Sequence, residues 1–141
     1  MKVIQTGLIA GILMSGYLAT LSITGNYGGS AVKYFKYIIL IGFLAAFFNR
    51  LLKHYDGATF LSKYIKNGAI ISAVSGFMVA ITNIVLFFVN QEYSFQKFNL
   101  LAASLFEAIT ISGVLLIEVT VLGLICSLII FPFYKNRVSL K

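Results

Sequence analysis

Charge is scarce in this chain, and acid is scarcer still. Only 11% of its 141 residues are Asp, Glu, Lys or Arg, whereas an ordinary soluble domain has roughly 25%. The acids number four against eleven bases. A soluble fold of this length still exposes about 30% of its unfolded-chain surface. It could not hide a composition that is 60% hydrophobic with a mean hydropathy of +0.95. A water-soluble globule is therefore excluded, and lipid is the solvent that fits. A single cysteine, Cys126, excludes an internal disulfide and a cysteine metal cage. A single histidine, His54, has no nucleophile or carboxylate pair beside it, so catalysis there is not expected. There is no phosphate loop, zinc spacing or nucleophile elbow, so no cofactor and no metal are expected. A single proline against twelve glycines suits helices packed in lipid.

What the chain has in abundance is long apolar runs. Four stand out: Val3 to Ile23, Val32 to Phe48, Gly68 to Val89, and about 103 to 131. A spanning helix needs about 17 to 25 mostly apolar residues. The second run is the shortest, but Lys33 and Lys36 at its head can snorkel outward. No run alternates polar and apolar residues as a barrel wall does. The expected fold is one all-α membrane domain over residues 1–141. Its four transmembrane helices are expected at about 3–24, 32–50, 60–89 and 100–131, as two antiparallel hairpins. The first run keeps Gln5 within it and no convincing small-x-small site follows, so it is expected to stay as a helix rather than be cleaved.

The bases set the orientation. Arg50, Lys53, Lys63 and Lys66 lie between the second and third runs, and Lys135, Arg137 and Lys141 in the tail. With both termini cytoplasmic, eight bases lie inside and three outside. The net charge of +7 then reads as orientation plus attraction to anionic headgroups, and no nucleic-acid partner is expected. Arg50, Lys53, Lys63, Lys66, Lys135 and Arg137 are the expected headgroup-facing bases. In "NRLLKHYDGATFLSKYIKN", Asp56-Gly57 reads as a turn and Thr59 as a cap for a helix starting at Phe60. Its first turns are expected at the interface, with Tyr55, Tyr64 and Tyr134 in an aromatic belt. Asn99 is a candidate cap for the fourth helix, and Pro132 its end or a bend.

Small residues recur every fourth position in two helices. Gly7, Gly11, Ser15 and Ala19 form one stripe, and Gly68, Ser72, Gly76 and Ala80 the other. Apolar side chains gain little by leaving lipid for each other, so close backbone approach must supply the association. The two stripes are expected to pack the first helix on the third.

One acid interrupts the last run. "VLLIEVTVL", residues 114 to 122, places Glu118 near the middle of the fourth helix. A charge at the bilayer centre costs at least about 2.5 kcal/mol, and its helical neighbours are apolar, so a neutral carboxyl is expected. Asn83 is the first candidate partner and Ser15 the second, while Glu107, eleven residues earlier, could extend a polar track. In one account Glu118 is an interhelical hydrogen-bond donor; in the other it binds or relays a proton or cation.

Three motifs carry a resemblance over nearly the whole chain. They are Gly7 to Gly11 ("GLIAG"), Gly57 to Phe60 ("GATF") and Lys66 to Gly68 ("KNG"), followed by "GLICSLII" and a basic tail. The chain resembles the small four-helix bacterial inner-membrane proteins classed only as a domain of unknown function. Where members carry Asp-Pro after the third helix, this chain has "NQEYSF". The resemblance implies the fold and a multi-pass inner-membrane location, and brings no activity with it. The expected function is non-enzymatic: a structural or accessory subunit acting with copies of itself or within a larger membrane complex. The alternative is a proton- or cation-translocating component using Glu118. Lipid handling by the loop at Lys63 and Lys66 is a third option.

Overall fold

The computed structural model describes residues 3–24, 30–52, 60–89 and 105–138, with side chains for 3–21, 34–51, 61–89 and 105–132. The described residues form four helices: α1 (Val3–Thr24), α2 (Ser30–Leu52), α3 (Phe60–Val89) and α4 (Leu105–Val138). All four are long and apolar enough to cross a membrane. The described residues are thus all-helical, with four candidate membrane spans. Hydroxyls within the helices are absorbed locally. Thr20, Thr110 and Thr120 each donate to the carbonyl four residues earlier, which satisfies them without a partner helix.

Two bounds differ from expectation. α2 starts at Ser30 and ends at Leu52, about two residues beyond each expected end. α4 runs through Pro132 to Val138. Proline removes one backbone bond, and the helix continues past it. The candidate caps Thr59 and Asn99, together with Lys53, His54, Tyr55, Asp56 and Lys141, lie outside the described residues. Lys135, Arg137 and Tyr134 lie within α4 beyond its described side chains.

α3 touches each of the other helices, whereas α1 and α4 do not meet among the described residues. On one side of α3, a Cβ added at Gly7 would stand 2.9 Å from the Ile71 carbonyl oxygen and 2.9 Å from Val74 Cβ. One added at Gly11 would stand 2.7 Å from Met78 Cβ. Numbers therefore rise together along α1 and α3. Ser75 Oγ reinforces this contact, donating to Gly7 O at 3.0 Å and lying 2.8 Å from Ile71 O. On the other side, Gly68 lies against Ser127 and Gly123 against Ser72, so numbers run in opposite senses along α3 and α4. Each glycine here accommodates the serine of the other helix. Each serine in turn donates to the glycine carbonyl of its own helix, Ser72 to Gly68 at 2.8 Å and Ser127 to Gly123 at 2.7 Å. The serines are thus polar without needing water.

The first stripe meets α3 as expected, through Gly7 and Gly11. The second does not meet α1: Gly68, Ser72 and Gly76 are spent on α4, where a Cβ at Gly76 would stand 3.0 Å from Leu116 O. α3 offers α1 Ile71, Val74, Ser75 and Met78 instead. Ala80 is buried and Ala19 half-buried. The reason is angular. A four-residue step stays on one side of a helix, but it does not say which neighbour lies there.

α2 is fastened by aromatic rings. Phe48 stacks on Tyr64 with centroids 3.5 Å apart, and Phe131 meets Tyr64 edge-on at 5.2 Å. Phe47 abuts Phe48 at 6.0 Å. Tyr64, expected in an interfacial belt, is instead wholly buried between rings of α2 and α4.

Candidate functional site: the polar junction of α2 and α4

Glu118 is half-buried at mid-length of α4 and faces α2. There the Tyr37 hydroxyl donates to Glu118 Oε1. Tyr37 is itself 9% exposed. The expected partners lie elsewhere. Asn83 donates through Nδ2 to Ser112 Oγ at 3.0 Å, one turn or more from Glu118, and the Ser112 hydroxyl donates in turn to Ala108 O at 2.8 Å. Ser15 is buried with its Oγ unpartnered. Glu107 is exposed in the first turn of α4, where the positive end of the helix dipole favours an acid. It lies about 16 Å from Glu118 along the axis at 1.5 Å per residue.

Lys36 is the residue that sequence reasoning placed wrongly. It was expected to snorkel out of the head of α2. Instead it is 7% exposed, with its Nζ 4.8 Å from the centroid of the Tyr37 ring. The cause is register. Leu40 lies 3.4 Å from a Cβ built at Gly123, and Phe48 3.2 Å from one at Gly68, so the shorter α2 lies alongside the middle of α4. Its seventh and eighth residues thereby reach the middle of α4. Lys36 and Glu118 each meet Tyr37, the first over its ring and the second at its hydroxyl. A signal existed in the sequence: a lysine and a tyrosine adjacent near the start of an apolar run. No spacing rule pairs Tyr37 with an acid 81 residues later.

The remaining predicted positions fall plainly. Arg50, Lys63 and Lys66 are exposed, as headgroup-facing bases need to be. Arg50 borders a groove of about 120 Å³ between α1 and α2, lined also by Thr6, Phe43, Ala46 and Phe47. Among the described residues no three metal-ligating side chains come together. Comparison with protein-family models, with curated proteins and with solved structures finds no match to this chain.

Proposed function

We propose that the chain is a multi-pass protein of the bacterial inner membrane, of the four-helix kind its motifs resemble. In this reading it acts without catalysis, as an accessory or oligomer-forming subunit. The spans form two antiparallel hairpins with both termini cytoplasmic. The opposed senses of α3 and α4 and the bias of the bases support that arrangement. The observation that carries the role is on the outer surface. Gly42 and Ala46 of α2 stand four apart, both exposed, with open space around Gly42. Small residues four apart on a lipid-facing side let another helix approach closely. The interior uses the same device where α3 meets α1 and α4, at Gly7, Gly11, Gly68 and Gly123.

Extraction in mild detergent followed by mass spectrometry of whole complexes tests this. A homo-oligomer or a stoichiometric larger partner is expected, weakened by Gly42→Leu. A lone monomer in every gentle extraction overturns the role. Single cysteines at Asn49 and Phe88, in a Cys126→Ala background, should label from the cytoplasmic and outer sides respectively; the reverse overturns the orientation.

A second reading, proton or cation translocation at Glu118, is favoured by its place at mid-length of α4, where its partner is the Tyr37 hydroxyl. It predicts ion flux into liposomes that Glu118→Gln abolishes.

A further inference from the structure

We propose that the groove between α1 and α2 binds one anionic phospholipid, with its acyl chain along α2 and its phosphate on Arg50. The site lies beyond the accessory role and stands whether or not the chain associates with copies of itself.

The groove is built by residue size. Ala46, Phe47 and Arg50 follow Phe43 by three, four and seven positions, so all four share one face of α2. Thr6 of α1 completes the lining. At Ala46 a methyl group stands where its neighbours on that face are rings and a long base, and this small side chain leaves the depression of about 120 Å³. Thr6 and Phe47 are buried, Phe43 is half-buried, and Ala46 and Arg50 are exposed. The groove thus has a closed floor and opens to the medium around the helices. Its volume is well below the roughly 300 Å³ at which sites that enclose a small molecule begin. It suits a stretch of chain passing along the surface. An unfilled notch forfeits dispersion contacts along its walls, and a bilayer around the four candidate spans supplies hydrocarbon chains to fill it.

The position of the base selects the lipid. Thr6 is the fourth residue of α1 and Arg50 the third from the end of α2, so the mouth of the groove lies at the depth of headgroups. Phe43 lies seven residues deeper, about 10 Å at 1.5 Å per residue. An acyl chain running from Phe43 toward Arg50 therefore reaches the guanidinium where its headgroup begins. An arginine in the last turn complements the helix dipole on any side of the helix. The dipole does not explain why Arg50 stands on the face that carries the groove. A guanidinium offers several N–H donors in a planar fork that matches a phosphate, so it holds one beside any bond it makes within the chain. Lys63 and Lys66 are exposed at the same end of the bundle, where Tyr64 between them stacks on Phe48. This excess of positive charge favours a headgroup with net negative charge over a zwitterionic one, whose own ammonium adds a like charge. Basic pockets between membrane helices hold anionic headgroups in the same way.

Photo-crosslinking of the full chain in bilayers tests the site. The probe is phosphatidylglycerol with a diazirine on its acyl chain, and phosphatidylcholine with the same chain is the control. Mass spectrometry of the peptides locates the label. Phosphatidylglycerol should label Phe43, Ala46 and Phe47 above exposed positions away from the groove, such as Ile12 and Val85. It should label them about fivefold more than phosphatidylcholine does, the equivalent of about 1 kcal/mol for one base at an anionic surface. Arg50→Gln should remove that preference. Ala46→Phe, which fills the notch and keeps Arg50, should drive the label from Phe43 and Phe47. Should either variant fail to assemble, the wild-type comparison of the two lipids decides alone. Even labelling of all exposed apolar positions, or equal labelling by the two lipids, overturns the proposal and leaves only ordinary surrounding lipid. A groove that neither lipid labels, and whose residues cross-link to a second copy, overturns it too while leaving the accessory role intact.

Discussion

Replacing Gly123 by alanine adds one methyl group at the tightest place in the bundle. The new Cβ would occupy space held by the Ser72 hydroxyl and Cβ, with Leu40 Cδ2 3.4 Å away. Ser72 cannot rotate out of the way without giving up its bond to Gly68 O, and its Cβ cannot move without α3. Overfilling a packed core costs typically about 1 to 3 kcal/mol. Against this, glycine to alanine within an exposed helix is worth up to about 1 kcal/mol in favour of the variant. Gly16 and Gly113 provide that reference, because nothing lies within 4 Å of a Cβ added at either. The helix-propensity gain is common to both, so Gly123→Ala should be less stable than Gly113→Ala by about 1 to 3 kcal/mol. Reversible unfolding in mixed detergent micelles, with helicity as the readout, measures the difference. Adding Ser72→Gly to Gly123→Ala should recover much of the loss, since it moves the missing Cβ from one helix to the other; the double-mutant cycle isolates that term. Equal stability of Gly123→Ala and Gly113→Ala would refute the claim that Gly–Ser contacts hold α3 to α4.

Ser15→Ala should leave stability unchanged or raise it, because the Oγ is buried without a partner and removing an unsatisfied group avoids its desolvation cost; the same unfolding assay checks this. Tyr37→Phe should cost about 0.6 to 2 kcal/mol, the usual value of a hydrogen bond between membrane helices, while the helix content by circular dichroism stays the same. Phe48→Ala should be far more harmful, by roughly 3 to 5 kcal/mol, because the ring is fully buried and stacked on Tyr64; a drop in melting temperature well beyond that of Tyr37→Phe is the expected reading.

The four spans were legible because apolar length is a one-dimensional property. Twenty greasy residues in a row need no partner to be recognised, and α1 and α3 end where their runs end. The contacts were only half legible. Gly7 and Gly11 announce a close approach, but Gly68, Ser72 and Gly76 turn to α4, and nothing in a stripe encodes the azimuth of its neighbour. Gly123 and Ser127 repeat the same small-residue step as Gly68 and Ser72, so this partner stripe stood in the sequence as a signal passed over. The polar junction was least legible. Glu118 was conspicuous as an acid among aliphatics, yet its partner was decided by how far α2 slides along α4. That slide is set by Leu40 at Gly123 and the rings at Phe48, Tyr64 and Phe131, which are contacts of shape rather than of pattern.

The pairing of α1 with α3 also bears on how the molecule is made. During synthesis α1 and α2 leave the ribosome first, yet Gly7 and Gly11 find their seat on a segment that begins some fifty residues later. Until α3 has been threaded into the bilayer, the notched side of α1 stands open to lipid and to membrane proteases. A chain truncated before α3 should be short-lived in the cell, whereas one lacking only the described end of α4 beyond Pro132 keeps every glycine–serine seat and should survive.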